Sequence, residues 1–350
     1  MGDAVSRRGV VRCALAAVLF GVSAPLASRL AGEMGAFTLA GLLYLGAALA
    51  VVPVAGRAIP SRAALRRSGR RLAVAVVVGG AIGPVLFATG LADAPAATAS
   101  LLLNLELVFT TIVAATFFRE HVDGKVVTGT ALVVIAGVLL GWSGSAELRW
   151  GAVLIATACL CWAVDNSVTA ALDDLAPSHI TLVKGVIAGA ANLAIGLSIG
   201  PIPAASDVAA ALAVGALGYG VSITLWVAGA RDLGAARAQL VFATAPFIGA
   251  TVAWTVLGDA ATGWQVSSLV IALVGVTFVL GSDHEHDHAH HAVEHAHEHR
   301  HDDRHHGHNH DDADIGRHSH RHEHATVSHR HGHVPDLHHR HEHHTDDGQR

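Results

Sequence analysis

The chain has 350 residues, of which 52% are hydrophobic and only 15% charged, and its mean hydropathy is +0.45. Of its 27 histidines, 25 follow Gly281, so an apolar body of 281 residues precedes a polar tail over 282–350. The body carries 29 charged residues, where a soluble domain would have about a quarter of its residues charged; a soluble enzyme is excluded.

Apolar runs between short polar breaks predict ten membrane spans, each close to the ~20 residues a bilayer requires. In chain order they are 11–31, 37–54, 72–92, 96–117, 125–143, 151–171, 180–199, 208–229, 236–257 and 264–281. The fold class expected is an all-α polytopic membrane protein with a disordered tail. Arginine and lysine in the short loops set the orientation. With residues 1–10 in the cytoplasm, the inner segments hold 13 Lys or Arg and the outer ones two, Arg29 and Arg149. Both termini are then cytoplasmic, and Trp142, Trp150 and Trp264 fall at outer span ends as an aromatic belt. A competing reading takes S-R-R-G-V-V-R and the apolar run after it as a cleavable export signal. Cys13, Cys159 and Cys161 all lie in spans and read as small apolar filler.

The body repeats itself. Positions 139 apart match without a gap: Gly90 with Gly229, Asp93 with Asp232, Ala97 with Ala236, Leu101 with Leu240, Phe109 with Ile248 and Glu120 with Asp259. Earlier in each half, L-F-G-V-S-A at 19–24 is similar to C-W-A-V-D-N at 161–166. Two five-span halves follow, 11–143 and 151–281. An odd number of spans per half inserts the second upside down, the inverted repeat of many secondary transporters, with the substrate site near the midplane between the halves.

The stretch A-T-A-S-L-L-L-N-L-E-L-V-F-T-T-I-V-A-A-T-F-F-R-E-H-V-D-G-K-V-V-T-G-T-A-L-V-V-I-A-G-V at 97–138 resembles the first half of EamA-domain proteins of the drug/metabolite transporter superfamily. A-R-A-Q-L-V-F-A-T-A-P-F-I-G-A-T-V-A-W-T-V-L-G-D at 236–259 resembles the second half. The resemblance implies ten helices, an inverted repeat, and export or exchange of small metabolites without ATP. This chain departs from the pattern at Asp259, where Glu is usual, and at Leu107, whose repeat mate is Pro246.

Charge inside a bilayer costs at least about 2.5–3.5 kcal/mol, so buried polar groups mark the candidate substrate and proton pathway. From the rise of 1.5 Å per residue, Glu106 lies roughly 16 Å from the inner surface, at the bilayer centre. Asn104 lies half a turn away, and Asn192 sits at about 18 Å, so the three could share one cavity. A carboxyl at that depth that loads and unloads near neutral pH would suit a proton carrier. Asp165 and Lys184 fall at similar depths on consecutive antiparallel helices, about 9 and 7 Å, and are expected to form an ion pair, structural or part of an inner gate. Asn166 adds an amide beside them. Glu120, Asp123 and Asp259 read as turn residues or helix caps, Arg29 as a snorkelling cation, and His121 and His179 as interfacial.

The tail repeats H-x-H and H-H. Its metal-ligand candidates are His284, His286, His288, His290, His291, His295, His297, His299, His318, His320, His322 and His324. Neutral imidazole binds Zn, Ni, Co or Cu, and the interleaved carboxylates can join it. No cofactor is required by the body. No H-E-x-x-H, C-x-x-C or P-loop is present, so neither enzymatic chemistry nor ATP drive is expected. The expected function is secondary transport across the inner membrane, proton-coupled or by exchange. The alternatives are divalent-metal efflux fed by the tail, or a membrane-anchored metal buffer or sensor that does not transport. Expected partners are a small-molecule or ion substrate and the lipid bilayer, with no nucleic acid and a homodimer left open.

Overall fold

The computed structural model describes residues 2–56, 62–117, 124–142, 146–170, 175–233 and 241–280, with Leu172 and Ala238, and in the tail 284–290, 293–299, 318–324 and 327–333. It comprises two units, Met1–Ser282 and Asp283–Arg350.

The described residues of the first unit form helices joined by short loops. In its first half, α1 (Gly2–Ala31) and α2 (Ala36–Ala55) lead to α3 (Arg62–Val74), which runs through a π-helical segment (Ala75–Ile82) into α4 (Gly83–Asp93). The next span is broken into α5 (Ala96–Leu102) and α6 (Leu105–Phe117), and α7 (Gly124–Trp142) follows. The second half contains α8 (Ala146–Ala170), α9 (Pro177–Ile199) and α10 (Ala205–Val214), then a second π-helical segment (Gly215–Val221) and α11 (Ser222–Leu233). It closes with α12 (Ala245–Thr255) and α13 (Gly263–Leu280).

Among the described residues, seven helical runs are long and apolar enough to cross a membrane. Two shorter apolar helices, 124–140 and 263–278, occupy the predicted fifth and tenth spans, and α12 occupies the ninth. Trp150 and Trp264 are exposed, as interfacial indoles should be; the Trp142 side chain is outside the described residues.

Helices that are apolar on every side gain little from burial against one another in lipid, so small residues at close contacts hold them together. A side chain at Gly41 would collide with the Leu193 backbone, and one at Gly215 with the Leu43 carbonyl. The contacts also carry the repeat. Gly90 of α4 lies on Gly151 and Ile155 of α8, and its mate Gly229 of α11 lies on Gly9 and Cys13 of α1. Each half therefore lends its third span to the first span of the other, as a twofold relation demands. The helical breaks obey the same symmetry: π-helix begins at Ala75 and at Gly215, and the turns fall at 103–104 and 243–244.

The tail is described over four short segments. Its described residues form β1 (His284–His290), β2 (Val293–His299), β3 (His318–His324) and β4 (Val327–His333). β1 pairs antiparallel with β4 and β2 with β3, with His286 opposite His331, His288 opposite His329, His295 opposite His322 and His297 opposite His320. Composition argued for disorder, but H-x-H has the two-residue period of a strand and places alternate residues on one face. Each ladder has only two strands and no apolar face, an arrangement that is marginal in water. His291 lies outside the described residues.

Candidate functional site

The polar residues of the body converge where α6, α8, α9 and the first π-helical segment meet. A π-helix pairs each carbonyl with the N–H five residues on. For Gly79 that residue is Pro84, which has no N–H to offer. Two side chains supply the missing donors: Tyr44 Oη donates to the Gly79 carbonyl at 2.8 Å and Trp162 Nε1 donates to it at 3.2 Å. Asn192 Nδ2 donates to the Ala81 carbonyl, at 3.1 Å. Side chains from α2, α8 and α9 thus hold the open segment in place.

Gly79 has no side chain because the Asp165 carboxylate occupies the space where its Cβ would lie. Asp165 is buried and forms an ion pair with Lys184 of α9; Thr169 Oγ1 donates to its other oxygen at 3.2 Å. The expected pairing of Asp165 and Lys184 is present. Glu106, in the first turn of α6, accepts a hydrogen bond of 2.7 Å from Asn166 Nδ2, the residue next to Asp165. Glu106 also lies within electrostatic reach of Asp165 and Lys184. Four of the six expected pathway residues are therefore one cluster.

The other two are placed differently. Asn104 is buried in the turn between α5 and α6, and its Nδ2 donates to the Leu101 carbonyl at 2.9 Å. The same carbonyl accepts the Asn104 backbone N–H at 3.2 Å, so the side chain closes the turn locally. The amides of Asn104 and Asn192 thus donate to backbone carbonyls, whereas that of Asn166 donates to Glu106.

A run of half-buried rings belongs to the other side of the repeat. Tyr44 and Tyr219 have centroids 6.2 Å apart, Tyr219 and Phe20 5.8 Å, Phe20 and Phe242 5.3 Å, and Phe242 and Trp226 6.2 Å. Ser23, whose Oγ donates to the Phe20 carbonyl at 2.6 Å, belongs to the same side. Tyr44, Trp162, Thr169 and this aromatic run escaped the sequence reading, which weighed charges and amides. The Gly79-to-Pro84 interval leaves a carbonyl unpaired only in a π-helix, and hydropathy does not mark one.

Several minor expectations are met or refined. Asp259 is a cap, but of the other half: its Oδ2 accepts from the Ala97 N–H of α5, at 3.1 Å. Arg29 Nη2 donates to the Leu257 carbonyl, at 2.8 Å. His179 Nε2 lies 2.9 Å from the Ala55 carbonyl, and the three cysteines are free. Glu120, His121 and Asp123 lie outside the described residues. Among the described residues, no three His, Cys, Asp or Glu side chains gather as a metal site.

Comparison with known proteins agrees with this architecture. An "Uncharacterized transporter" of Methanothermobacter thermautotrophicus (strain Delta H) is 28% identical over 297 residues, covering 78% of this chain and 85% of that protein. A protein of known crystal structure shares the fold with a TM-score of 0.57 at 18% identity, over 80% of this chain and 98% of its own. The model of the EamA-like transporter family matches twice, at 7–142 and at 149–281. The chain belongs to the EamA-like transporter family and is a multi-pass membrane protein.

Proposed function

We propose that the chain is a secondary carrier of the inner membrane, with both termini cytoplasmic, that exports a small metabolite or cation in exchange for protons or another solute. It has no enzymatic role in this reading. The Glu106–Asn166 bond carries the proposal. A carboxylate facing a cation is locked in one charge state. A carboxyl facing an amide keeps a hydrogen bond in both, because the amide donates to the anion through Nδ2 and can accept from the acid through Oδ1. Glu106 can therefore gain and lose a proton without leaving its partner amide unpaired. Asp165, a few ångströms along, is already neutralised by Lys184, and this pair joins the two helices that must move together if that end of the pathway is to open.

The decisive experiment reconstitutes the full chain in proteoliposomes and screens amino acids, metabolites and divalent metals under an imposed pH gradient. Glu106→Gln retains an amide partner for Asn166 and should leave folding intact while abolishing pH-driven flux. Flux of Glu106→Gln that follows the pH gradient as the parent does would overturn the assignment.

A second reading takes divalent metal as cargo and the tail as its collector. The tail registers set His284, His286 and His288 opposite histidines of β4, and His295, His297 and His299 opposite His322, His320 and His318, which supports metal capture there, with His290 and His324 facing valines at the strand ends. Deleting 282–350 separates the readings. A carrier without the tail keeps its flux and loses metal capacity, whereas a metal buffer loses all function.

A further inference from the structure

Helix α3, R-A-A-L-R-R-S-G-R-R-L-A-V, contains five arginines and no carboxylate. Arg66 and Arg70 are four residues apart, as are Arg67 and Arg71, and all four are exposed. That spacing stacks them in two neighbouring rows on the helix surface, where like charges repel. The roll of the helix is fixed by its other side: Ser68 is buried, and Leu65 and Leu72 pack with Leu172, Leu175, Ile180 and Val183. The guanidinium rows are thus held outward by packing. They also stand at a defined depth, because α3 continues without a break into the apolar span 65–93. At 1.5 Å per residue this 29-residue run exceeds the ~30 Å hydrocarbon core, so its first turns fall at headgroup level in such a bilayer.

We infer that α3 is a docking surface for the phosphate headgroup of an anionic phospholipid. Guanidinium binds phosphate through paired N–H donors in a fixed fork, and the four-residue spacing within a row lets one phosphate bridge two arginines. Arg67 and Arg71 also engage the protein itself, so Arg66 and Arg70 carry the lipid contact.

The position gives the docked lipid a consequence, which rests on the carrier reading. The C-terminus of α3 is the start of the π-helical segment whose Gly79 abuts Asp165. Its apolar side leans on Leu172 and Leu175, in the connection between the helices of Asp165 and Lys184. A headgroup bound to α3 steadies both elements that hold the ion pair.

The test is binding, so it stands or falls independently of transport. Phosphatidylglycerol and phosphatidylcholine compete for retention by the purified full chain, read by native mass spectrometry. The parent should select phosphatidylglycerol, and raised salt should erode the selection. Arg66→Gln/Arg70→Gln should lose roughly 30-fold in that preference, while Arg66→Lys/Arg70→Lys keeps most of it. Arg7→Gln/Arg8→Gln, which removes exposed charge elsewhere, should keep the preference too. Amide exchange across 75–82 should slow on adding phosphatidylglycerol to the parent and not to the Gln variant. A parent indifferent to headgroup, or a preference lost equally with Arg7 and Arg8, overturns the inference. If the Gln variant fails to fold, the salt titration and the exchange of the unaltered chain decide alone.

Discussion

Gly79 facing Asp165 and Gly218 facing Ser23 are the same contact in the two halves of the repeat. In each, a glycine of a π-helical segment makes room for a side chain of the first span of the opposite half. The surrounding residues pair off likewise: Trp162 with Phe20, Asn166 with Ala24, Glu106 with Ala245 and Pro84 with Ile223. Packing is symmetric and chemistry is not. Every ionisable group of the cluster, and the proline that frees the Gly79 carbonyl, lies on one side. The opposite position offers hydroxyl, methyl and aromatic ring. A duplicated scaffold supplies two equivalent hinges, and only one of them carries charge, so a polar cluster and an apolar wall are built on two copies of the same geometry.

The largest effect that would break this comparison is expected at the ion pair. Lys184→Met leaves the Asp165 carboxylate buried without a counter-charge, a loss of about 3–5 kcal/mol. Asp165→Asn/Lys184→Met removes both charges and should recover most of it. Thermal unfolding in detergent reads both variants, and equal midpoints for the single and double changes would show that the pairing carries no weight.

Next in size are the two glycines. Gly79→Ala drives a methyl into the Asp165 carboxylate and Gly218→Ala drives one into Ser23, each costing about 1–3 kcal/mol by overpacking. Relief should differ between the halves. Added to Gly218→Ala, Ser23→Gly makes space for the new methyl and restores stability. Added to Gly79→Ala, Asp165→Gly makes the same space but strands Lys184 and lowers stability further. Unfolding midpoints of the four single variants and of the two combinations test this, and relief in both halves would mean that the charge adds nothing to the shared packing.

Much of the architecture could be read from residue order, because in lipid hydropathy alone marks a span and loop arginines mark its sense. The repeat was visible for a related reason: at glycines such as Gly90 and Gly229 a side chain would crowd the first span of the other half. The Asp165–Lys184 pair followed from equal depth on adjacent helices. What stayed hidden depended on rotation about the helix axes. Depth placed Glu106 beside Asn104 and Asn192, but depth does not state which face a residue presents, and α8 turned Asn166 toward Glu106 instead. The π-helical segments were hidden as well, since one added residue per turn leaves hydropathy unchanged. In the tail, the two-residue period of the histidines is the period of its four described strands.

The smallest effect concerns the Gly79 carbonyl and bears most directly on why the halves differ. Tyr44→Phe removes one of two donors and should cost at most about 1 kcal/mol, because Trp162 Nε1 still serves the carbonyl. Tyr219→Phe in the other half should cost as little, since Ser23 Oγ keeps its 2.6 Å bond to the Phe20 carbonyl. Combining Tyr44→Phe with Trp162→Phe should cost more than the two separately, by about 0.5–3 kcal/mol, as the last donor to a buried carbonyl is lost. Pro84→Ala returns an N–H five residues from Gly79, as Ile223 does for Gly218, and in that background the excess should shrink toward zero. An excess that survives Pro84→Ala would place the coupling in ring packing, and the proline would then have no part in setting one hinge apart from the other.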